Sequence, residues 1–147
     1  VYTTDASGLS STRAAAADPS KWLVLPEIIS KEPLGPLVRH GDHQWGDVVR
    51  WSLNAMIIAE ELGVSSENVD ASKSSNVPEV LRLLGVEGSY GEMLELAPDW
   101  AYQIIKQIGN YSESYEANVG PDTPLEIARG LNALWTQGGI LYAPPFR

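Results

Sequence analysis

A proline-rich stretch between residues 23 and 42 constrains the fold of this chain more than any other segment. Two apolar runs within it, Leu23–Leu25 and Leu34–Val38, have the composition of extended backbone. Proline blocks helical hydrogen bonding and restricts the residue before it, so a helix is excluded here. The residues that break a helix are Pro26, Pro33, Gly35 and Pro36. We therefore predict a strand that crosses between two bodies, as in a two-lobed protein whose lobes move relative to each other.

The residues before this stretch predict a short β-α-β fragment. Val1–Thr4 is interpreted as a buried strand, the alanine-rich run Leu9–Ala17 as a helix that stops at an Asp-Pro pair, and Trp22–Leu25 as a second strand. Asp5 is well placed to cap the helix, because its side chain can accept a hydrogen bond from a backbone N–H two or three residues ahead.

Long amphipathic runs after the proline-rich stretch predict helices. The first begins at Gly41-Asp42, is largely buried, and ends at Gly63, a residue type suited to the position after a helix C-terminus. The other predicted elements are a short helix from Ser65, a helix from Asn76 closed by Gly85, a surface loop from Gly85 to Gly91, and one long helix from Asp99 to Asn118.

The strongest local signal is the run Thr123-Pro124-Leu125-Glu126, which has the pattern of a capping box with proline at the first helical position. It predicts a helix through Leu134 or Trp135. The tail from Ile140 to Pro145 is expected to be extended, and its two prolines would confine it to a sheet edge or a surface groove.

These elements indicate an α/β fold that the chain does not complete by itself. At most four strands are predicted, two on each side of the crossing, and two-stranded ribbons are marginal in water. The first residue is Val1, with no cap or leader before its predicted strand. We therefore expect residues N-terminal to Val1 to complete both lobes.

Composition excludes several classes of function. The formal charge of -9, from 19 acidic and 10 basic residues, argues against nucleic acid and anionic membranes as partners. No apolar run approaches the roughly 20 residues of a membrane span. The absence of cysteine excludes thiol catalysis and thiolate metal sites. No dinucleotide fingerprint, phosphate-binding loop, nucleophile elbow or zinc-protease motif occurs, so the sequence predicts no cofactor.

Few residues are candidates for chemistry. His40 and His43 could ligate a metal, but the sequence between them resembles a helix start, so solvated surface is the favoured interpretation. Glu32 could hold a hinge shut through a salt bridge, although a plain surface charge is favoured. The five tryptophans could stack on sugars, yet four of them fall on apolar helix faces and core packing is favoured. These are Trp45, Trp51, Trp100 and Trp135.

Asp5 has two possible roles. A helix cap is favoured over a ligand contact, but a carboxylate at the start of a helix facing a cleft could bind a cationic group with one oxygen and cap with the other.

Several unusual blocks of this sequence resemble the C-terminal part of a periplasmic general L-amino-acid-binding protein, the solute receptor of an ABC importer. The blocks are VYTTDASGL, VLPEIISKEPLGP, VRHGD, AMIIAEELG, RLLGVEG, DWAYQIIKQIGNY, NVGPDTPLEIARGLNALW and GGILYAPPFR, and the resemblance that they carry extends over essentially all 147 residues.

The resemblance implies an α/β fold of the type II periplasmic binding protein class, with two lobes that trap an amino acid as they close. It implies that residues 1–27 end the second lobe, that residues 28–32 form a hinge crossing strand, and that residues 33–147 are the C-terminal share of the first lobe. It implies that Asp5, with Thr4 beside it, contacts the ligand's α-ammonium group. The residues that hold the α-carboxylate would lie in an N-terminal half outside this chain.

The resemblance also implies its partners: an L-amino acid, the membrane subunits of an importer and the missing N-terminal half. Two other interpretations stay open at this point. One is an enzyme on the same fold, such as a dehydratase acting on a small carboxylate, for which Asp5 is the titratable candidate that we can place in the cleft. The other is a structural or interaction module made from the helical part.

Overall fold

A computed structural model describes residues 1–31 and 34–147 of the chain. Its regular elements are α1 (Ala6–Ala14), α2 (His43–Glu61), α3 (Val69–Ser72), α4 (Pro78–Leu83), α5 (Tyr90–Met93), α6 (Trp100–Ile108) and α7 (Tyr111–Asn118), with 3-10 turns at Pro19–Lys21, Gly130–Asn132 and Trp135–Gln137. Between residues 1 and 31 and between 34 and 147, β pairing is limited to an isolated parallel bridge between Leu134 and Leu141. No helix in these ranges has the length and apolarity needed to cross a bilayer.

The described residues separate into two compact units. The first combines residues 1–36 with 115–129, and the second combines residues 37–114 with 130–147. The division into lobes at residues 27 and 33, which the resemblance implies, stays a prediction. The proposed hinge charge Glu32 lies outside the described residues.

The strands predicted in the first unit do not form. Val1–Thr4 and Trp22–Leu25 have no strand pairing, and Val1 and Leu23 are among the most exposed apolar residues of the chain. The run Leu34–Val38 is likewise unpaired. A strand exists only when a second strand satisfies its N–H and C=O groups, and these described segments have no such neighbour. The α/β class is therefore not confirmed in the described residues.

The first predicted helix exists, but its predicted bounds, Leu9–Ala17, were wrong. Helix α1 begins at Ala6, directly after its N-cap Asp5, and ends at Ala14, so it lies three residues earlier than the predicted run. The Asp-Pro pair at 18–19 begins a 3-10 turn in which Asp18 accepts a hydrogen bond from the Ser20 N–H.

Helix α2 provides the core of the second unit. Its predicted bounds are confirmed: Asp42 accepts a hydrogen bond from the Trp45 N–H at 3.1 Å, and Gly63 follows the helix with a φ of +68°. A φ in this left-handed region favours glycine. Helix α2 contacts α4 and α6, and its C-terminal half contributes four buried residues to the hydrophobic core, which are Ala55, Ile57, Ile58 and Ala59.

The favoured interpretation of the tryptophans as core residues holds for half of them. Trp100 is buried, and Trp51 packs against the core while remaining partly accessible. Trp45 and Trp135 are 55% and 51% exposed, so neither is a core residue. The prediction failed for Trp45 because an aromatic residue near a helix end can face solvent without breaking the apolar pattern. It failed for Trp135 because the helix predicted there does not form, and the indole N–H of Trp135 donates to the Glu61 carboxylate at 3.0 Å.

The extended tail enters the core of the second unit through Phe146. This ring is 7% exposed and lies 5.2 Å from the ring of Trp51, 5.3 Å from Tyr90 and 6.2 Å from Trp100, measured between centroids. Aromatic rings at such distances and tilts stabilise one another beyond the apolar area they bury. The predicted extended tail, Ile140 to Pro145, is itself mostly exposed, with Ala143 as its buried residue, and the burial of Phe146 beyond it was not predicted.

The long helix predicted from Asp99 to Asn118 is two helices. Gly109 has a φ of +92°, which ends α6 at Ile108, and α7 begins at Tyr111. The side chain of Asn110 accepts a hydrogen bond from the Glu113 N–H at 3.0 Å, and the Glu113 carboxylate accepts one from the Asn110 N–H at 2.8 Å. This reciprocal pair is a capping box, and it starts the new helix after the break.

The same box attaches α7 to the loop that follows α2. Asn110 donates from its side chain to the Val64 carbonyl at 2.9 Å, and the Ser66 hydroxyl donates to the Glu113 carboxylate at 2.6 Å. Burial raises the pKa of Glu113, but the hydrogen bonds from Ser66 and Asn110 lower it by more, so that it lies below its ordinary value of 4.5. Glu113 is therefore an ionised structural anchor at neutral pH.

A second polar cluster attaches α3 to α6. Asp70 accepts a hydrogen bond from the Tyr102 hydroxyl at 2.8 Å and forms an ion pair with the Lys106 ammonium group at 2.6 Å. The Lys73 ammonium group lies 3.3 Å from the centroid of the Tyr102 ring. A helix of four residues such as α3 is not stable alone, so these contacts help to define it.

The capping box predicted at Thr123–Glu126 does not form, and no helix follows it. The Thr123 hydroxyl accepts a hydrogen bond from the Leu125 N–H at 3.2 Å, which closes a local turn. Glu126 has a φ of +53°, which an α-helix does not allow, and its carboxylate pairs with Arg13 at 2.6 Å. Helical structure resumes only as a 3-10 turn at Gly130–Asn132.

The predicted glycine loop from Gly85 to Gly91 is only partly correct. Gly85, with a φ of +70°, closes α4 as expected, but Tyr90 already begins α5. Gly91 is buried, and a Cβ at this position would lie 2.3 Å from the Ala97 carbonyl oxygen. Gly91 is therefore required by a close approach of two backbone segments, and it is not part of a surface loop.

We predict that Phe146→Ala lowers the free energy of unfolding of the complete protein by about 3–5 kcal/mol, because it removes a buried ring and leaves a cavity among three aromatic side chains. Phe146→Leu, which keeps an apolar side chain of similar volume, should cost less than about 1.5 kcal/mol. Urea unfolding measures both. A loss below about 1 kcal/mol for the alanine variant would show that the ring is dispensable.

We predict that Glu113→Ala costs about 1–2 kcal/mol of stability, because the Asn110 and Ser66 N–H groups lose their acceptor. The pKa of Glu113 is lowered in the folded state, so its contribution is present above its unfolded pKa near 4.5 and is lost as the pH falls through the lower folded value. Glu113→Gln keeps an acceptor without the charge. Its unfolding free energy should therefore vary less between pH 5 and pH 3 than that of the wild type, and equal pH dependence would contradict the assignment.

Candidate ligand-binding site

Asp5 lies at the start of α1, where its backbone is still extended. Its φ and ψ are -62° and 160°, and its side chain accepts a hydrogen bond from the Gly8 N–H at 2.8 Å. The cap role predicted from the sequence is therefore confirmed. The segment that leads to it is irregular and exposed, so Asp5 ends a coil and not a strand.

The two oxygens of the Asp5 carboxylate have different partners. Oδ1 accepts the Gly8 N–H and a short hydrogen bond from the Ser7 hydroxyl. Oδ2 accepts a single longer hydrogen bond, from the Thr4 hydroxyl at 3.3 Å. Each carboxylate oxygen offers about two acceptor sites, so Oδ2 retains capacity for a further donor. The sequence singled out Thr4 beside Asp5, and in the structure the Thr4 hydroxyl contacts the Asp5 carboxylate.

The pKa of Asp5 is lowered below its ordinary value of 3.8. The largest cause is the hydrogen bond from Ser7, followed by that from the Gly8 N–H, and desolvation opposes them only in part. Asp5 therefore carries a full negative charge at neutral pH. An ionised, partly accessible carboxylate can accept a charge-assisted hydrogen bond from an ammonium group.

A cavity of about 400 Å³ also occurs in the first unit, near the other end of α1. Its lining residues are Arg13, Ala14, Pro19, Ser20, Trp22, Pro124 and Glu126. The charges of Arg13 and Glu126 face each other at 2.6 Å, so they satisfy one another. Sequence reasoning missed this cavity because Arg13 and Glu126 are 113 residues apart and neither belongs to a motif.

The two histidines line a separate concave surface of about 290 Å³ around the start of α2. His43 is the first residue of α2 and His40 lies before the helix, so the two imidazoles are not on one helical face. Between residues 1 and 31 and between 34 and 147, no three side chains of the metal-ligating types come close enough to hold an ion.

Comparison with protein-family models finds no match. Among curated proteins, the chain is 55% identical over 147 residues to the glutamate/glutamine/aspartate/asparagine-binding protein BztA of Rhodobacter capsulatus, covering 99% of this chain and 44% of that protein. It is 55% identical over 149 residues to the general L-amino acid-binding periplasmic protein AapJ of Rhizobium johnstonii, covering 100% and 44%. It is 56% identical over 145 residues to the putative amino-acid ABC transporter-binding protein YhdW of Escherichia coli K12, covering 97% and 42%.

A solved structure with the same fold is an ABC transporter/periplasmic binding protein from Brucella ovis with glutathione bound. The TM-score is 0.95 at 51% sequence identity, and the match covers 99% of this chain and 46% of that one. The chain thus spans less than half the length of the relatives it matches. These relatives are named as binding proteins, not as enzymes.

We predict that Asp5→Ala lowers the melting temperature of the ligand-free complete protein, because the Gly8 N–H loses its acceptor. Asp5→Asn should leave it near the wild-type value, since asparagine caps helices as well as aspartate does. Differential scanning calorimetry compares the two variants. Equal destabilisation by both substitutions would show that the charge, and not the cap, is what stabilises this helix.

Proposed function

Because this chain is homologous along almost its whole length to the periplasmic binding proteins of amino-acid ABC transporters, we propose that it forms part of a receptor that captures L-amino acids in the periplasm. The observation that carries the proposal is its 55% identity to an amino-acid-binding protein over 99% of the chain. The enzymatic alternative has no comparable support, since the relatives are named for binding.

Asp5 is the residue that we assign to the ligand's α-ammonium group, with Thr4 beside it. The resemblance implies this role, and three features of the structure support it. The carboxylate is ionised, it is partly accessible, and Oδ2 has a remaining acceptor site. A hydrogen bond from an ammonium group to a carboxylate is about twice as strong as one between neutral groups.

The ligand class follows from the names of the relatives. BztA is named for glutamate, glutamine, aspartate and asparagine, and AapJ for L-amino acids in general. We propose acidic amino acids and their amides as the first ligands to test. The Brucella ovis structure favours glutathione as a second candidate. Its γ-glutamyl group carries a free α-ammonium and a free α-carboxylate, so it offers the same end as an amino acid.

The proposed mechanism is a shift of population between open and closed receptors. A ligand that contacts both lobes binds the closed form more tightly, so the closed fraction rises as ligand binds. The membrane subunits of an importer would then recognise the closed receptor.

The proposed fold of the complete receptor is α/β. The apolar residues of the unpaired segments are strongly exposed, with Leu23 at 80%, Ile28 at 84% and Leu37 at 98%. Exposed apolar surface of this extent is typical of an interface. We propose that strands from parts of the receptor outside this chain pair with these segments, including the crossing at residues 28–32.

We predict that Asp5→Asn weakens binding of L-glutamine by about ten- to a hundredfold in the complete receptor, because an amide NH₂ would face the ammonium group. Isothermal titration calorimetry with L-glutamine, L-glutamate, L-aspartate, L-asparagine and glutathione measures the effect. Because the cap survives in this variant, a loss of affinity reports on the ligand and not on folding.

Asp18→Asn is a matched control for this experiment. Asp18 also precedes a serine by two residues, and it accepts both the Ser20 hydroxyl and the Ser20 N–H. The Asp18→Asn substitution should leave the affinity for L-glutamine unchanged. If Asp5→Asn binds L-glutamine within twofold of the wild type, Asp5 does not contact the ligand. If the wild-type receptor binds none of the five ligands, the proposed function is wrong.

A further inference from the structure

The tail segment at residues 140–143 is apolar on both of its faces. Ala143 is buried and Leu141 packs against the core of the second unit, whereas Ile140 and Tyr142 are 69% and 67% exposed. Successive side chains of an extended segment point to opposite faces, so Ile140 and Tyr142 share the outer one. An unbroken apolar run is typical of an extended segment that is covered on both faces. Among the described residues, the core covers one of them.

Two further apolar side chains enlarge the outer face. Leu131 is 62% exposed and Trp135 is 51% exposed. The ring of Trp135 lies 5.8 Å from that of Tyr142 at an angle of 70°, and the Ile140 N–H donates to the Leu131 carbonyl at 2.9 Å. We call this surface the aromatic face, and its residues are Leu131, Trp135, Ile140 and Tyr142. Grouped apolar side chains of this kind mark interaction surfaces, whereas singly exposed ones are normal.

The aromatic face is fixed by the backbone beneath it. Gly139 permits a close turn, because a Cβ at this position would lie 1.8 Å from the Ala133 carbonyl oxygen. The indole N–H of Trp135 already donates to the Glu61 carboxylate at 3.0 Å, so the exposed part of the ring requires no polar partner. The face therefore fits an apolar surface that packs against it.

Size and connectivity indicate what covers the aromatic face. A stable interface between separate proteins takes roughly 20–30 residues from each side, and four side chains are far fewer. A segment of the same polypeptide does not lose the translational and rotational freedom of a separate molecule, so a small apolar face is enough to hold it. The chain spans 44% of BztA and 46% of the Brucella ovis protein, so more than half of each relative lies outside the matched region.

From these observations, and resting on the proposal that the chain is part of a longer receptor, we infer that the aromatic face is an intramolecular docking surface. Its occupant is an apolar segment of the receptor that lies N-terminal to Val1. This contact is separate from the strand pairing proposed for the first unit, because all four residues of the face belong to the second unit. The face thus attaches the N-terminal part of the receptor to the second unit through side chains.

The first test is the melting temperature of the complete receptor, measured by differential scanning calorimetry. Ile140 is 69% exposed in this chain, so its replacement has little effect unless another segment covers it. Ile140→Ser should lower the melting temperature by about 4 °C or more, because the substitution places a hydroxyl in an apolar contact. Met93→Ser is the matched control, since Met93 is 73% exposed and lies outside the aromatic face. It should stay within about 1 °C of the wild type. Equal small shifts in both variants would overturn the inference.

The second test identifies the occupant by photo-cross-linking. Tyr142→p-benzoylphenylalanine in the complete receptor should cross-link, on irradiation, to a peptide that precedes Val1 in the same molecule. Mass spectrometry of a mixture of isotopically labelled and unlabelled receptor separates this product from a cross-link between two copies. A cross-link to a second copy, one that requires added importer membrane subunits, or none outside residues 1–147 would each overturn the inference.

The docking surface and the proposed function fail in different ways. Calorimetry of the wild-type receptor with L-glutamine and the other four ligands does not depend on the aromatic face. If the receptor binds one of them and Tyr142→p-benzoylphenylalanine forms no cross-link to the N-terminal part, the docking surface is wrong and the receptor function stands. If the cross-link forms and none of the five ligands binds, the docking surface stands and the proposed function is wrong.

Discussion

The burial of Phe146 among Trp51, Tyr90 and Trp100 is the contact on which the second unit depends. Helices of four to six residues such as α3, α4 and α5 are far shorter than the roughly 12–15 residues that an isolated helix needs in water. Their stability therefore comes from tertiary packing. The Phe146 ring joins α2, α5 and α6 to the tail, and it supplies apolar contact where the local sequence cannot stabilise a helix.

The surroundings of Asp5 show why a local hydrogen-bond pattern does not identify a binding site. Asp5 and Asp18 are each followed by a serine two residues later, and each accepts that serine hydroxyl together with a backbone N–H. The pKa values of both carboxylates are lowered, with the serine hydroxyl as the largest cause in each case. The two carboxylates differ at their second oxygen: Oδ2 of Asp18 pairs with the Lys21 ammonium group at 3.4 Å, whereas Oδ2 of Asp5 accepts a hydrogen bond from the Thr4 hydroxyl at 3.3 Å. A cap and a ligand contact can share one carboxylate because they use different oxygens.

Local signals in the sequence predicted local structure well. Asp42, Gly63 and Gly85 gave correct helix ends, since a cap or a left-handed glycine acts through its immediate neighbours. The role of Asp5 as a cap was predictable for the same reason.

Features that depend on distant partners were not predictable in this way. Thr123 and Glu126 match the sequence pattern of a capping box. Glu126 nevertheless has a positive φ and forms an ion pair with Arg13, which is remote in sequence. The real box at Asn110 and Glu113 lay inside an apparently continuous helical pattern. The predicted strands lack partners in the described residues, and the Phe146 cluster joins rings that are up to 95 residues apart.

The way the chain divides into units has a consequence for limited proteolysis. The chain passes from one unit to the other three times, after residues 36, 114 and 129. A single cut at any one of these junctions leaves the two units covalently joined through the others. A protein that is cut once would give two fragments in a denaturing gel. Under native conditions its two units would still be covalently joined at the junctions that were not cut. Fragment patterns from this protein would have to be interpreted with native mass measurements, because one cut cannot release either unit.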